Sequence, residues 1–132
     1  MDKISEMLTK IRNAQMAGHK EVKIRFSKFK FALAKILEKE GFVESVFKDK
    51  NKTEDMHIIL KYYQISKTQK MTAIKGIKKV SKLGQRIYVK SKDIKKVKND
   101  FGVVVISTSK GVMAGEQSKK MGLGGEYICK VW

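Results

Sequence analysis

The sequence predicts an α+β protein of two small packed α/β subdomains, residues 1–65 and 66–132. Three observations lead to this prediction. The first half alternates helical and strand-like periodicity in the order helix, strand, helix and hairpin. The second half consists mostly of short strand-like runs with one short helix. Between them, residues 64–72 are polar and lack periodicity, which indicates a linker.

The N-terminal half begins with a predicted helix. Asp2 can cap it and Gly18 ends it. Residues 21–26 then alternate polar and apolar side chains, which predicts a strand with one buried face. The apolar face of the helix carries four residues at helical spacing: Ile4, Met7, Leu8 and Ile11.

A second helix and a hairpin complete this half. Ser27 is a favourable N-cap for a helix that continues to about Glu40 and stops at Gly41. Two strands, 42–47 and 56–63, follow it and are joined by a polar turn around residues 49–52. The predicted buried face of the helix carries Phe29, Leu33, Ile36 and Leu37.

The C-terminal half predicts mostly β structure. The run that ends at Ile106 is the most apolar of the chain, and its β-branched content indicates a buried strand. A loop separates it from the last strand. The predicted elements are strands at 72–77 and 86–89, a basic helical turn near 93–98, and strands at 101–106 and 126–131.

The charge of the chain indicates a polyanionic partner. Its 30 Lys and Arg outnumber 13 Asp and Glu, for a net charge of +17. The half up to residue 66 has a net charge of +5 and the remainder +12, so we expect the C-terminal half to meet the polyanion first. The alternative is a solvated lysine-rich surface. Lysine binds phosphate as a point charge, which favours recognition of backbone and shape, although an AT-rich genome would produce the same bias. Only three basic residues are arginines: Arg12, Arg25 and Arg86.

Residue types that carry catalysis or bind metals are sparse. Cys129 is alone in an apolar strand pattern, which predicts a packing cysteine in a reducing, cytosolic setting. His19 and His57 lack metal-ligand spacing, and the adjacent Ser109 and Lys110 are expected to point apart. No apolar run approaches the ~18 residues of a membrane span. We therefore expect no enzyme, cofactor, metal or membrane association.

A compact set of hydrogen-bonding groups follows the most apolar run. Ser107, Thr108, Ser109, Lys110 and Gly111, hereafter the hydroxyl loop, combine three hydroxyls, a lysine and a flexible glycine. Hydroxyls can donate to and accept from a 2′-hydroxyl, the group that distinguishes RNA from DNA. The pattern indicates an RNA contact, and the alternative is an ordinary Ser/Thr-rich turn.

A glycine cluster precedes the last strand, in the order Gly122-Leu123-Gly124-Gly125-Glu126. Glycines let a backbone approach another backbone closely, including that of a nucleic acid. The spacing matches neither a dinucleotide fingerprint nor a P-loop. Glu126 can orient a lysine or the hydroxyl loop, or accept from a base amine, and the alternative is a surface salt bridge.

Tyr88 lies in the basic segment Arg86-Ile87-Tyr88-Val89, where it can stack on a base or hydrogen-bond a sugar. The alternative is a half-buried tyrosine on a strand face. Eight lysines around this segment predict an electrostatic footprint for phosphates: Lys78, Lys79, Lys82, Lys90, Lys92, Lys95, Lys96 and Lys98.

Several stretches together resemble the bacterial small-subunit ribosomal protein S-eight family. Residues 2–14 are similar to its opening helix, 40–42 to its helix-to-hairpin junction and 80–88 to its central loop and strand. The most specific likeness is Ser107-Thr108-Ser109-Lys110-Gly111-Val112-Met113, followed at the family's spacing by Gly122-Leu123-Gly124-Gly125-Glu126. The likeness runs along almost the whole chain.

The resemblance implies a two-part α/β fold that binds the central domain of small-subunit ribosomal RNA early in assembly and helps to organise the platform. The hydroxyl loop and the Gly-Gly-Glu strand would face the minor-groove side of an irregular RNA helix, and the opening helix with Lys28-Phe29-Lys30 would make a second contact. The implied RNA-binding residues are Tyr88, Arg86, Ser107, Thr108, Ser109, Lys110, Gly124, Gly125, Glu126 and Lys30.

The resemblance also implies partners and a location. The protein would be a cytoplasmic monomer within the ribosome, next to small-subunit proteins such as S-five and S-twelve, without a membrane partner. Some family members also repress translation of their own operon's messenger RNA. The alternatives are therefore a free translational repressor, or a nonspecific nucleoid or membrane-surface protein held by lysines alone.

This sequence departs from the family at two places. Leu83 stands where the family usually has proline, so we expect a less rigid loop before Gly84. Residues 115–120 replace a segment that usually carries an acid and an arginine, which removes those contacts from the expected site.

Overall fold

The computed structural model describes residues 3–49, 54–95 and 102–132. Three α-helices and ten β-strands lie within these ranges, with the second half mostly β. The predicted α+β class is therefore confirmed. None of the helices in these ranges is long and apolar enough to cross a membrane.

Contacts between residues cluster in two units, Lys3–Lys75 and Gly76–Trp132. The subdomains predicted from the sequence, 1–65 and 66–132, divide the chain about ten residues earlier. The difference is a small hairpin, described below, whose contacts belong to the first unit. That residues 1–65 and 66–132 are separate subdomains stays a prediction.

The two long helices of the first unit begin and end as the sequence predicts. α1 spans Lys3–Met16 and buries Met7, Leu8 and Ile11, and Gly18 follows it with a φ of +74°. The predicted cap at residue 2 lies outside the described residues. α2 spans Lys28–Lys39, and the Ser27 hydroxyl accepts from the Lys30 N–H at 3.1 Å, which confirms the predicted N-cap.

The buried face of α2 differs from the prediction by about one residue position. Leu33 and Leu37 are buried as expected, but Lys30 and Ala34 accompany them. Phe29 and Ile36, predicted for this face, are only partly buried. Burying a lysine runs against its solvation preference, so apolar periodicity alone misplaces the face.

The first unit contains a three-stranded antiparallel sheet of order β1-β3-β2. Cross-strand partners Val22, Ile58 and Val46 lie in one row on its buried face, and contacts join α1 to β1 and α2 to β2. The strands are β1 (Glu21–Arg25), β2 (Val43–Lys48) and β3 (Asp55–Leu60). Residues 50–52 of the predicted turn lie outside the described residues.

The predicted linker is wrong, because residues 62–72 form a hairpin. β4 (Tyr62–Gln64) pairs with β5 (Lys70–Thr72). The single strand predicted over 56–63 is also wrong, since β3 ends at Leu60, and the Lys61 carbonyl accepts from the Ala73 N–H. The Tyr62 hydroxyl donates to the His19 carbonyl, which fastens this hairpin to the segment between α1 and β1.

The second unit is organised around its last strand, β10 (Gly125–Val131), which pairs with β6, β7 and β8. β9 extends the sheet beyond β8. The strand predicted over 72–77 is wrong, because β5 ends at Thr72 and the next strand begins at Ile77. The remaining strands are β6 (Ile77–Lys79), β7 (Tyr88–Val89), β8 (Val103–Thr108) and β9 (Gly111–Ala114).

Two regions of the second unit differ in secondary structure from the prediction. The loop expected after residue 106 contains β9 and the short helix α3 (Gly115–Lys120). The predicted helical turn is a single 3-10 turn at Ser91–Asp93, and its expected continuation through residues 96–98 lies outside the described residues, as does residue 101. Ile94, Val104 and Ile106 form a buried apolar cluster in this unit.

Candidate nucleic-acid interface

Three predicted site residues lie in one row across the second sheet. Tyr88 on β7 is opposite Glu126 on β10, and Glu126 is opposite Ser107 on β8. Residues directly opposite each other in an antiparallel ladder project from the same face. Residues 88, 107 and 126 therefore form one cross-strand row, although they are far apart in the sequence.

Tyr88 projects into solvent at one end of this row. The residue is 71% exposed, so the half-buried alternative is wrong. It makes no hydrogen bond with the residues that the structure describes. An exposed aromatic ring on a strand, among exposed lysines, provides a surface on which a nucleic-acid base can stack.

Two hydrogen-bond donors hold the carboxylate of Glu126, the middle residue of the row. The Ser81 hydroxyl and the Arg86 guanidinium both donate to its Oε2, the second at 3.0 Å. Buried Ser81 also accepts from the Ile87 N–H at 3.2 Å. The carboxylate thus orients Arg86, as the salt-bridge alternative proposed, and it makes no hydrogen bond with the side chains of the hydroxyl loop.

Sequence reasoning missed Ser81. It lies 45 residues before Glu126, within a lysine-rich stretch whose charges predicted only a footprint. A serine in such a stretch has no local pattern that marks it as buried. The pairing of β6 with β10, continued by the hydrogen bond from the Val80 N–H to the Ile128 carbonyl, brings the two residues together.

The hydroxyl loop uses its hydroxyls in two ways. The Thr108 hydroxyl donates to the Gly111 carbonyl at 2.8 Å and accepts from the Lys110 N–H at 3.1 Å, so it stabilises the turn between β8 and β9. Gly111 has a φ of +116°, which favours glycine. The Ser107 and Ser109 side chains make no hydrogen bond with the described residues, and Ser109 and Lys110 are exposed at the tip.

The glycine cluster is explained by contacts within the sheet. A Cβ on Gly125 would lie 2.1 Å from the Ser107 carbonyl oxygen, and one on Gly124 would lie 2.5 Å from the Val89 carbonyl oxygen. These two glycines let β10 approach β8 and the end of β7. Gly122 has a φ of +69° and ends α3. The glycines thus make a close backbone approach to the protein's own strands, and the approach to a nucleic acid stays a prediction.

Most lysines of the predicted footprint are exposed. Lys79 is the exception, because it is partly buried and its ammonium donates to the Ser81 carbonyl. Lys96 and Lys98 lie outside the described residues. The loop at Leu83, expected to be less rigid, is closed by two 3.0 Å hydrogen bonds between the backbones of Lys82 and Gln85. The exposed members are Lys78, Lys82, Lys90, Lys92 and Lys95.

Lys30 belongs to the first unit, whereas the other predicted site residues belong to the second. Its side chain lies on the buried face of α2 and only 8% of the residue is exposed. Burial lowers its pKa, and the nearby Lys3 lowers it further. Lys30 therefore has a more restricted access to solvent than the lysines around the cross-strand row.

Comparison with known proteins identifies the family. The family model described as Ribosomal protein S8 matches residues 2–132. The chain is 44% identical over 131 residues to the small ribosomal subunit protein uS8 of Nitratidesulfovibrio vulgaris (strain Miyazaki F), covering 99% of this chain and 98% of that protein. It is 46% identical to uS8 of Caldanaerobacter subterraneus subsp. tengcongensis and 47% identical to uS8 of Geotalea daltonii, in each case covering 99% of this chain and 97% of the relative. The chain belongs to the ribosomal protein S8 family.

Proposed function

We propose that this protein is a structural constituent of the small ribosomal subunit in the cytoplasm, where it binds the central domain of small-subunit ribosomal RNA and helps to assemble the platform. The cross-strand row of Tyr88, Glu126 and Ser107 is the observation that carries the proposal. It places an exposed aromatic ring and the Ser107 hydroxyl, which has no hydrogen-bond partner among the described residues, on one face of the sheet. The names of the relatives, small ribosomal subunit proteins, support the same assignment.

The row and the residues around it have distinct tasks in the proposed complex. Tyr88 stacks on an unpaired base, and the Ser107 and Ser109 hydroxyls bond to 2′-hydroxyls or base edges. Arg86, held by Glu126, keeps a fixed position beside them. Lys110 and the exposed lysines bind phosphates. Binding of this kind requires no group to transfer a proton and no covalent bond to form or break, so the proposed role is binding rather than catalysis.

Phosphate contacts fix position and base contacts provide specificity. With roughly four to eight phosphates neutralised, the slope of log affinity against log salt should be about −4 to −7. Replacing Lys95 with Ala should weaken binding to every RNA by a similar factor and flatten this slope. A loss restricted to the cognate RNA would show that this lysine recognises structure.

The test of the proposal is Ser109→Ala, because this hydroxyl is exposed and has no partner among the described residues. Leaving a polar group of the RNA unpaired costs about 1–3 kcal/mol, so we expect roughly tenfold weaker binding to the central-domain helix, or ~1.4 kcal/mol. Ser45→Ala, on the other unit, is the matched control. Thermal melts of both variants should match the parent.

Two results would contradict the proposal. One is unchanged RNA affinity in Ser109→Ala together with a lowered melting temperature, which would make the hydroxyl structural. The other is equal affinity for the irregular RNA helix and a sequence-matched DNA duplex at one salt concentration. In the first case the interface would lie elsewhere in the chain.

The same surface would accept a messenger RNA helix of similar shape, so repression of the protein's own operon would need no additional residues. Competition between the ribosomal fragment and the operon messenger for one site tests this role. Within the subunit, we expect a monomer that contacts proteins such as S-five and S-twelve, which crosslinking of intact subunits can identify.

A further inference from the structure

Ser81 is the buried residue from which two hydrogen bonds lead to Arg86 and Tyr88. None of Ser81 is exposed, so its hydroxyl can act on a ligand only through other residues. A hydroxyl has one proton to donate and can also accept, and Ser81 uses both capacities. It donates to the Glu126 carboxylate and accepts from the Ile87 N–H at 3.2 Å. The two bonds reach Arg86 and Tyr88 by separate routes.

The first route runs through the Glu126 carboxylate. Its Oε2 accepts from the Ser81 hydroxyl and also from the Arg86 guanidinium, the latter at 3.0 Å. The Arg86 side chain is 42% exposed and can meet a ligand, whereas that of Glu126 is 20% exposed. A carboxylate fixed by a buried hydroxyl has fewer orientations, and the guanidinium paired with it therefore has fewer as well. Ser81 thus restricts an exposed arginine before any RNA binds.

The second route runs through the two peptide groups of Ile87. The Ile87 N–H belongs to the peptide group shared with Arg86, and the Ile87 carbonyl belongs to the one shared with Tyr88. Ser81 accepts from the first, and the Tyr127 N–H on β10 donates to the second at 2.8 Å. Both peptide groups are therefore held. The exposed side chains on either side of Ile87 keep fixed directions as a result.

We propose that Ser81 is a positioning residue for RNA recognition, because its hydroxyl holds the Arg86 guanidinium and the Tyr88 ring in the arrangement that the RNA meets. This inference rests on the RNA-binding function proposed above. Ordering a flexible side chain at the moment of binding lowers affinity, so side chains that are ordered beforehand strengthen it. Without the hydroxyl, the Glu126 carboxylate and the Ile87 N–H each lose a partner, and the RNA itself must order the exposed residues.

The test compares Ser81 with Ser118, another fully buried serine of the second unit. The Ser118 hydroxyl also donates a hydrogen bond, in its case to the Leu123 carbonyl. Affinity for the irregular RNA helix is measured at one low salt concentration and at a temperature at which melts show each variant to be folded. Ser81→Ala should bind roughly two- to tenfold more weakly than the parent, the effect of leaving a side chain to be ordered on binding. Ser118→Ala should bind as the parent does.

A double-mutant cycle distinguishes positioning from general damage to the sheet. Ser81→Ala is measured again in a background in which Arg86→Gln and Tyr88→Ala have removed both positioned side chains. If Ser81 acts through these two residues, its substitution should change the affinity of that background by less than about twofold, the limit for independent sites. A general distortion would also displace the hydroxyl loop, so the loss of affinity would then persist in the background.

Ser81→Cys covers the case in which Ser81→Ala does not fold. A thiol is similar in size to a hydroxyl but is a weaker donor and acceptor, so this variant should show a smaller loss of affinity that the same background removes. The proposal is overturned if the folded Ser81 variants bind RNA as the parent does, or if the same fold-loss appears in both backgrounds. A parent that binds the irregular helix no better than a sequence-matched DNA duplex would instead contradict the RNA-binding function, and this inference with it.

Discussion

Replacing Gly125 with Ala should separate the two central strands of the second sheet. The new Cβ would lie 2.1 Å from the Ser107 carbonyl oxygen, and ordinary contacts begin at 3.4 Å, so β8 and β10 must move about 1.3 Å apart. Overpacking costs about 1–3 kcal/mol. Ladder hydrogen bonds stretched by this amount lose roughly 1 kcal/mol each. We expect a destabilisation of about 3 kcal/mol.

The assay is thermal unfolding followed by circular dichroism, with Gly84→Ala as the matched control. A loss of about 3 kcal/mol should lower Tm by about 10–15 °C in a chain of this size. Gly84 has open space around the position of a Cβ, so its substitution should change stability by less than about 0.5 kcal/mol. Equal melting temperatures for the two variants would refute the reasoning, because the strands would then accommodate the methyl group.

Three further predictions concern buried or paired side chains. Ser81→Ala should cost about 1–3 kcal/mol in urea titrations, because the Ile87 N–H loses its partner; a change below about 0.5 kcal/mol would contradict this. The hydrogen bond to Glu21 raises the pKa of His57. The stability that His57 contributes to the fold should therefore be fully present below its pKa in the unfolded chain, about 6.5, and should be lost as pH rises through its higher pKa in the folded protein. His57→Gln should flatten this part of the urea-midpoint profile between pH 5.5 and 8.5, and an unchanged profile would exclude the effect. Burial raises the pKa of Cys129 to about 12, so a thiol reagent should label it only after unfolding, and rapid labelling of the native protein would show that the site opens.

Elements with a local signal could be predicted from the sequence. Ser27 followed by an amphipathic run predicts the start of α2, because the cap and the helix lie within one stretch. The alternation at residues 21–26 likewise predicts β1. The hairpin at 62–72 gave no such signal, since its strands have three residues each and are mostly polar. Its position depends on long-range contacts such as that of Tyr62 with His19.

The candidate interface divides in the same way. The hydroxyl loop was predicted because its residues are adjacent, whereas the arrangement of Tyr88 beside Glu126 depends on the register of β7 against β10. The task of Thr108 could not be predicted, because a hydroxyl that closes a turn and one that binds a ligand have the same sequence pattern. The sequence pattern around Gly125 fits close packing of strands as well as contact with a ligand. Only the distance to the Ser107 carbonyl oxygen shows that strand packing requires a glycine here.

The central position of β10 has a consequence for folding during synthesis. This strand pairs with β6, β7 and β8, yet every one of these partners precedes it in the chain. A nascent chain therefore carries unpaired strand edges until residues 125–131 leave the ribosome that makes them. Non-local pairing of this kind forms slowly, because distant segments must meet first. The cross-strand row accordingly comes into existence only with the last strand, and a nascent chain lacks it.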